Sequence, residues 1–162
     1  MIHAEVVPVD PLHIEEICAT MRWQEADAIA ALSRDPIALI KHELATSIST
    51  YAGLVDGEVV VIGGVKCRDV LSDEAYVWII CSERVNEVPI GFVRTVKKVY
   101  KEVRPRFSSL WGLLVTDFER SVRWVRWLGF TVEPPVNGVS LFWQGRRPDI
   151  DLRHYREVSS GH

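Results

Sequence analysis

The stretch from residue 108 to residue 135, SSLWGLLVTDFERSVRWVRWLGFTVEPP, has the pattern of a strand, a tight turn, a helix and a second strand. Its first part, residues 110–115, is almost unbroken in apolar side chains, as expected of a strand buried on both faces. Thr116 and Asp117 can both cap a helix. Apolar residues then recur at helical spacing up to Gly129, a residue that favours a left-handed helix end. This stretch predicts a mixed α/β fold.

The rest of the chain supplies further predicted strands and helices. Strands are predicted at residues 2–9, 49–55, 58–66, 75–81, 110–115, 130–133 and 139–144, and helices at 11–21, 23–32, 36–46, 89–103 and 117–128. Asp56-Gly57 and Asn137-Gly138 each predict a hairpin turn, and Gly63-Gly64 predicts a bulge or a close backbone approach. We predict one domain over residues 1–145 and a polar C-terminal tail over residues 146–162.

Composition excludes several classes of protein. The 162 residues suit one domain, and 48% hydrophobic with 25% charged residues is typical of a globular chain. No apolar run approaches the roughly 20 residues that span a bilayer, and the N-terminus lacks the pattern of a signal peptide, so we expect a cytoplasmic protein with no membrane partner. The three cysteines and five histidines show no metal-ligand spacing, so we expect no metal site.

Charge is unevenly distributed along the sequence. Residues 1–47 hold eight acidic against three basic residues, whereas residues 84–106 hold seven basic against two acidic residues. The basic part coincides with the predicted helix 89–103. This local excess favours an anionic ligand or partner at one place, while the overall net charge of −3 disfavours nucleic acid as a partner.

The run RWVRWLGFTVEPP, after a tryptophan-containing strand and a short helix, resembles the end of a domain of the GNAT family of N-acetyltransferases. More narrowly, it is similar to the GNAT-like proteins of tailed phages, a group that includes internal virion protein A. The shared features are the tryptophan strand, an Arg-Trp-Leu run, Gly-Phe and a proline-rich turn. The resemblance covers most of the chain. It implies an α/β fold with a GNAT-like mixed, mostly antiparallel central sheet flanked by helices.

The resemblance also implies where a cofactor would bind. In GNAT enzymes acetyl-CoA lies beside the central strand, here AYVWIIC, and its pyrophosphate meets the following loop and helix N-terminus. The residues of this chain at those places are Ile79, Cys81, Arg84, Ile90 and Gly91. The segment SERVNEVPIGFV lacks the paired glycines of the family, carries Glu87, and places Pro89 where a donor is wanted. We therefore expect a crowded, acidic loop that binds a diphosphate poorly.

The catalytic positions of the family are altered as well. By alignment from Gly129, Phe118 stands where active relatives commonly have asparagine, and Val125 stands where they have the tyrosine that protonates the departing thiolate. Valine cannot donate a proton. Other groups near the central strand could move one, and the candidates are Glu74, Tyr76 and Glu83.

Three hypotheses follow from these observations. The favoured one is a non-catalytic phage-type GNAT-fold protein without a cofactor, serving in virion assembly or inside the virion. Its partners would be phage structural or ejection proteins or a second copy of itself, and it would be located in the host cytoplasm or in the virion.

The alternative hypothesis is an N-acetyltransferase that moves an acetyl group from acetyl-CoA to an amine. The third hypothesis is a sensor that keeps the CoA pocket. A gap between strands 75–81 and 108–115 favours a cofactor, unless Trp78 or Trp111 fills it.

Overall fold

The computed structural model describes residues 2–22, 26, 35–67, 69, 71–115 and 119–153. They form a seven-stranded sheet of order β1-β2-β3-β4-β5-β7-β6, in which only β4 and β5 run parallel. The strands are β1 (Ala4–Val7), β2 (Ser49–Val55), β3 (Glu58–Cys67), β4 (Glu74–Cys81), β5 (Ser109–Val115), β6 (Thr131–Val132) and β7 (Val139–Gln144). The helices are α1 (Pro11–Thr20), α2 (Pro36–Thr46), α3 (Pro89–Val103) and α4 (Glu119–Trp127). The predicted mixed, mostly antiparallel sheet flanked by helices is confirmed.

Two helices begin where the Asp-Pro pairs predict. Asp10 accepts a hydrogen bond from the Leu12 N–H at 2.8 Å, and Asp35 accepts one from the Ala38 N–H at 3.0 Å. Each aspartate thereby satisfies a backbone donor that the first helical turn leaves without a partner. The helix predicted at residues 23–32 and the predicted caps at 116 and 117 lie outside the described residues, apart from residue 26, which is helical.

Both predicted hairpin turns are present. Asp56 and Gly57 have φ of 51° and 83°, and Asn137 and Gly138 have φ of 55° and 80°, the left-handed pairs that a two-residue hairpin requires. The Gly63-Gly64 pair marks a close approach: a Cβ added to Gly64 would lie 2.6 Å from the Trp78 Nε1. The register shift of the β2–β3 hairpin falls elsewhere, between Gly53 and Leu54.

The helices cover the sheet from both sides. Ile14 and Ile17 of α1 and Ile40 of α2 pack against one face, together with Trp78 and Ile80 of β4. The α3 and α4 helices pack against the other face, where alternate β4 residues such as Ala75 and Cys81 point.

The buried stripe of α3 differs from the one that its apolar spacing predicts, which runs through Ile90, Val93, Val96 and Tyr100. Ile90 is 58% exposed, and the buried positions are Gly91, Phe92, Thr95 and Val103. A Cβ on Gly91 would lie 2.7 Å from a methyl of Val55, so α3 approaches β2 closely through this glycine. This close approach turns Ile90 away from the core.

The residues that follow β7 contact the sheet. The Arg146 N–H donates to the Ser109 Oγ at 2.8 Å, the Arg147 guanidinium pairs with Glu133 at 2.7 Å, and Leu152 is buried. The domain boundary at residue 145 stays a prediction. Within the described ranges, no helix is long and apolar enough to cross a membrane.

Candidate functional site

The central strands β4 and β5 diverge, and the gap between them is the main candidate site. The two strands pair only over Glu74–Tyr76 with Ser109–Trp111, although β4 continues to Cys81 and β5 to Val115. Gly112 follows the last paired residue, and β5 is still close to β4 there, since a Cβ on Gly112 would lie 2.7 Å from the Val77 carbonyl oxygen. The sheet is thus held together at one end of this strand pair and open at the other.

The open edge of β4 presents backbone groups to the gap. The Ser82 N–H donates to the Val60 oxygen of β3 at 2.9 Å, and the Cys81 oxygen on the other side of the strand accepts from the Arg22 N–H at 3.1 Å. Because backbone direction alternates along a strand, the N–H and C=O of Ile79 face the same side as those of Cys81. Ile79 therefore offers a donor and an acceptor to an extended ligand in the gap.

An apolar cavity of about 130 Å³ extends from the gap beneath α3 and α4. Its walls include Val77 and Ile79 of β4 and Val125 of α4. Two hydroxyls at this cavity are already engaged: Thr95 donates to the Phe92 oxygen at 2.7 Å, and Tyr100 donates to the Gln144 Oε1 at 2.6 Å. The cavity can accept an uncharged, extended chain at little polar cost.

Neither tryptophan fills the gap. The Trp78 ring borders the cavity, but its indole N–H donates to the Ser47 Oγ at 2.9 Å on the α2 side of the sheet. The Trp111 ring packs against Tyr76, with ring centroids 4.7 Å apart. Neither ring therefore blocks the gap, and the argument against a cofactor that such a block would have given does not apply.

A second cavity, of about 430 Å³, lies on the other side of the same strand pair. It is lined by Glu43, Lys66, Cys67, Glu74, Tyr76, Trp111 and Leu113. Lys66 and Glu43 form an ion pair at 2.5 Å. Burial raises the pKa of the Cys67 thiol, which keeps it protonated at neutral pH. Leu113, in the part of β5 that no longer pairs with β4, borders both cavities.

Several backbone N–H groups of the segment after β4 donate hydrogen bonds to acceptors within the same segment. Residues 83–86 form a 3-10 turn, in which the Arg84 N–H donates to the Ser82 Oγ at 3.1 Å and the Val85 N–H donates to the Ser82 oxygen at 3.2 Å. The N–H groups of Glu87 and Val88 both donate to the Arg84 oxygen. These four groups are not available to a diphosphate, as they would be in a glycine-rich loop.

The N-terminus of α3 retains donors of its own. Pro89 occupies the first helical position, and Val88 before it makes no side-chain cap hydrogen bond. The N–H groups of Ile90 and Gly91 follow in the first turn, where helix geometry provides no acceptor within the helix. Two predicted cofactor residues therefore offer backbone N–H groups at the positive end of a helix dipole.

The other predicted cofactor residues lie in different places, and only one of them lines the apolar cavity. Ile79 lines the apolar cavity, whereas the side chain of Cys81 is buried in the core beneath α3. The Arg84 guanidinium forms an ion pair with Glu58 of β3. The negative charge of Glu58 offsets the positive charge through which Arg84 was expected to bind a phosphate.

Of the catalytic candidates, Glu74 and Tyr76 line the second cavity, and Glu83 lies exposed in the 3-10 turn away from both cavities. Val125, at the position of the family's proton-donating tyrosine, does line the apolar cavity. Phe118 lies outside the described residues.

The sequence did not single out Gly112 or Leu113 as residues of the site. For Gly112 the available signal was a glycine inside an apolar strand. Among the described residues, no group of three His, Cys, Asp or Glu is placed to hold a metal ion.

Known structures share this architecture. Ard1 from Thermoplasma volcanium superposes with a TM-score of 0.64 at 16% identity, over 87% of this chain and 96% of that one. RimL, a ribosomal alpha-N-protein acetyltransferase in complex with coenzyme A, gives 0.61 at 13% identity, over 87% and 93%. The GNAT domain of PAT from S. lividans gives 0.61 at 11%, over 87% and 88%. No protein-family model and no curated protein matches the sequence.

The chain therefore has the fold of the GNAT acetyltransferases. At these levels of identity, the likeness establishes the fold alone. The narrower resemblance to phage virion proteins stays a prediction, because none of the three structures named above is a virion protein.

Proposed function

We propose that this protein is an N-acetyltransferase that moves the acetyl group of acetyl-CoA to an amine. The observation that carries the proposal is the open gap between β4 and β5, with a cavity on each side of it and Leu113 bordering both. A thioester could be reached from one side of the sheet and an amine from the other. This arrangement places both reactants together without a covalent enzyme intermediate.

The residues around the gap fit the cofactor in part. The apolar cavity suits a pantetheine arm, and the Ile79 backbone can pair with one of its amides. The N–H groups of Ile90 and Gly91 are the donors that remain for a pyrophosphate. When bound, acetyl-CoA supplies an activated acyl group whose thiolate is a good leaving group.

The chain's own contribution is to bind and deprotonate the amine. Glu74 lies at the start of β4 and lines the second cavity, where its carboxylate can take the proton of an ammonium group. The nitrogen would then bond to the acyl carbon and lose its second proton to solvent as the carbon–sulfur bond breaks. Val125 cannot return a proton to sulfur, so we assign that protonation to solvent.

A non-catalytic phage-type virion role is the second candidate. It is favoured by Val125 at the position of the missing acid and by the four internal hydrogen bonds of the segment after β4. It predicts that the protein co-purifies with phage particles and that acetyl transfer to a broad panel of amines is absent.

Calorimetric titration with acetyl-CoA and with CoA tests the proposal, followed by thiol release over a panel of amines. Ile79→Trp fills the apolar cavity from a side chain that is already 38% exposed, and we expect it to weaken CoA affinity at least tenfold. Leu71→Trp makes a comparable enlargement at a 92% exposed loop residue and serves as the control. No heat on titration, or equal affinity in the two variants, would remove the enzyme hypothesis.

A further inference from the structure

The second cavity has a composition that points to one chemical class of acceptor. Its lining carries two carboxylates, Glu43 and Glu74, and one ammonium, that of Lys66. Lys66 lies 2.5 Å from Glu43, so these two charges compensate each other. Among the described residues, the structure gives the Glu74 carboxylate no ion pair or side-chain hydrogen bond, and the cavity holds one uncompensated negative charge.

Aromatic rings form another part of the same lining. Tyr76 and Trp111 stand opposite each other in the parallel ladder, on the same face of the sheet, and their rings lie 4.7 Å apart at 56°. Such rings attract a cation through their faces and also pack against alkyl chains. Cys67 adds no charge, because burial raises the pKa of its thiol.

The two faces of the sheet carry helices of different charge. On this side, α1 carries Glu15 and Glu16, and α2 carries Glu43 together with Lys41. The basic residues of α3, including Arg94, Lys97 and Lys101, lie on the helix that covers the opposite face. Outside the lining, the Arg106 guanidinium acts electrostatically on the Cys67 thiol, so the attraction of a cation to the second cavity rests on Glu74.

Building on the proposed acetyl transfer, we infer that the second cavity selects a flexible alkylammonium acceptor of the diamine or polyamine class. Glu74 pairs with an ammonium group of the acceptor, and the Tyr76–Trp111 pair contacts the alkyl chain. Aromatic amines and acceptors that carry carboxylates fit this cavity poorly, since they bring no aliphatic cation or add negative charge beside Glu74.

Binding of the acceptor alone tests this inference without the cofactor. We would titrate the protein at pH 7 with 1,5-diaminopentane, with 5-aminopentanoic acid and with 1-pentanol, by calorimetry. We expect only the diamine to bind well. Glu74→Gln should weaken diamine binding by about tenfold or more, the effect of a charge-assisted hydrogen bond. Trp111→Leu should weaken it by roughly threefold to tenfold, through loss of the cation–π contact.

Glu15→Gln is the matched control, because it removes the same charge from an exposed position on α1, on the same side of the sheet but outside the cavity. Diamine affinity that falls equally in Glu15→Gln and Glu74→Gln would overturn the inference, as would equal binding of the alcohol. A diamine that binds through Glu74 without ever being acetylated would leave the inference standing and remove the proposed function. Efficient acetylation of amines that is indifferent to Glu74→Gln would remove the inference and the base role of Glu74, and would leave acetyl transfer standing as the activity.

Discussion

Gly112 is the residue at which β5 still approaches β4 closely, just beyond the last pair of their ladder. A Cβ at this position would lie 2.3 Å from the Phe142 ring and 2.7 Å from the Val77 carbonyl oxygen. We expect Gly112→Ala to destabilise the protein by about 1–3 kcal/mol, as overpacking does, measured by urea denaturation. Adding Phe142→Leu should recover part of the loss, because the ring can be shortened whereas the backbone oxygen cannot move. Additive effects of the two substitutions would contradict this account.

At the same scale, some of the residues singled out from the sequence lie at the cavities and others do not. Glu74 and Tyr76 were candidates because they lie on the central strand, and the structure places both in one cavity. Arg84 was a candidate for its charge, but its partner Glu58 comes from a neighbouring strand that no local pattern connects to it. The exposure of Ile90 could not be predicted either, because it follows from the contact between Gly91 and β2.

Among the elements, the segment after β7 offers a test that depends on pH. Hydrogen bonds from Arg147, and from the Trp143 indole, hold the pKa of Glu133 below its usual 4.5. A lowered pKa in the folded state stabilises the protein above pH 4.5, and this contribution is lost as the pH falls through the folded pKa. We expect Glu133→Gln to be less stable than the parent at pH 7, with the difference shrinking toward pH 3.

The comparison variant is Arg147→Gln, which removes the other partner of the same ion pair. Thermal melts of both single variants and of the double variant over pH 3–7 should show a non-additive loss at neutral pH, because the pair is removed only once. A difference between Glu133→Gln and the parent that stays constant with pH would contradict the assigned pKa shift.

Elements whose signals are local were predicted well. The Asp-Pro caps, the Asp-Gly and Asn-Gly turns and the apolar runs each specify a helix start, a hairpin or a strand within a few residues. The cavities were not predictable in this way, since they arise where β4, β5 and both layers of helices meet. Only the resemblance to the GNAT family indicated that β4 and β5 would separate.

At the scale of the whole molecule, the sheet consists of two parts joined by a short parallel ladder. The strands β1 to β4 form one part and β5 to β7 the other, and three residue pairs connect them directly. A ligand in the gap would contact both parts. By mass action, acetyl-CoA at a hundredfold excess over its Kd should stabilise the folded state by about 2.7 kcal/mol.

Hydrogen exchange can test this division of the sheet at a single strand. In β4, the Ile80 N–H faces β3, as does that of Ser82, whereas the Ile79 N–H faces the gap and has no β5 residue opposite it. We expect the Ile79 amide to exchange much faster than that of Ile80, by NMR, although the two residues are adjacent. If acetyl-CoA binds as proposed, it should slow exchange at Ile79 and leave Ile80 nearly unchanged. Equal protection of the two amides without ligand would show that the strands close in solution, and the gap would then lose its place as the binding site.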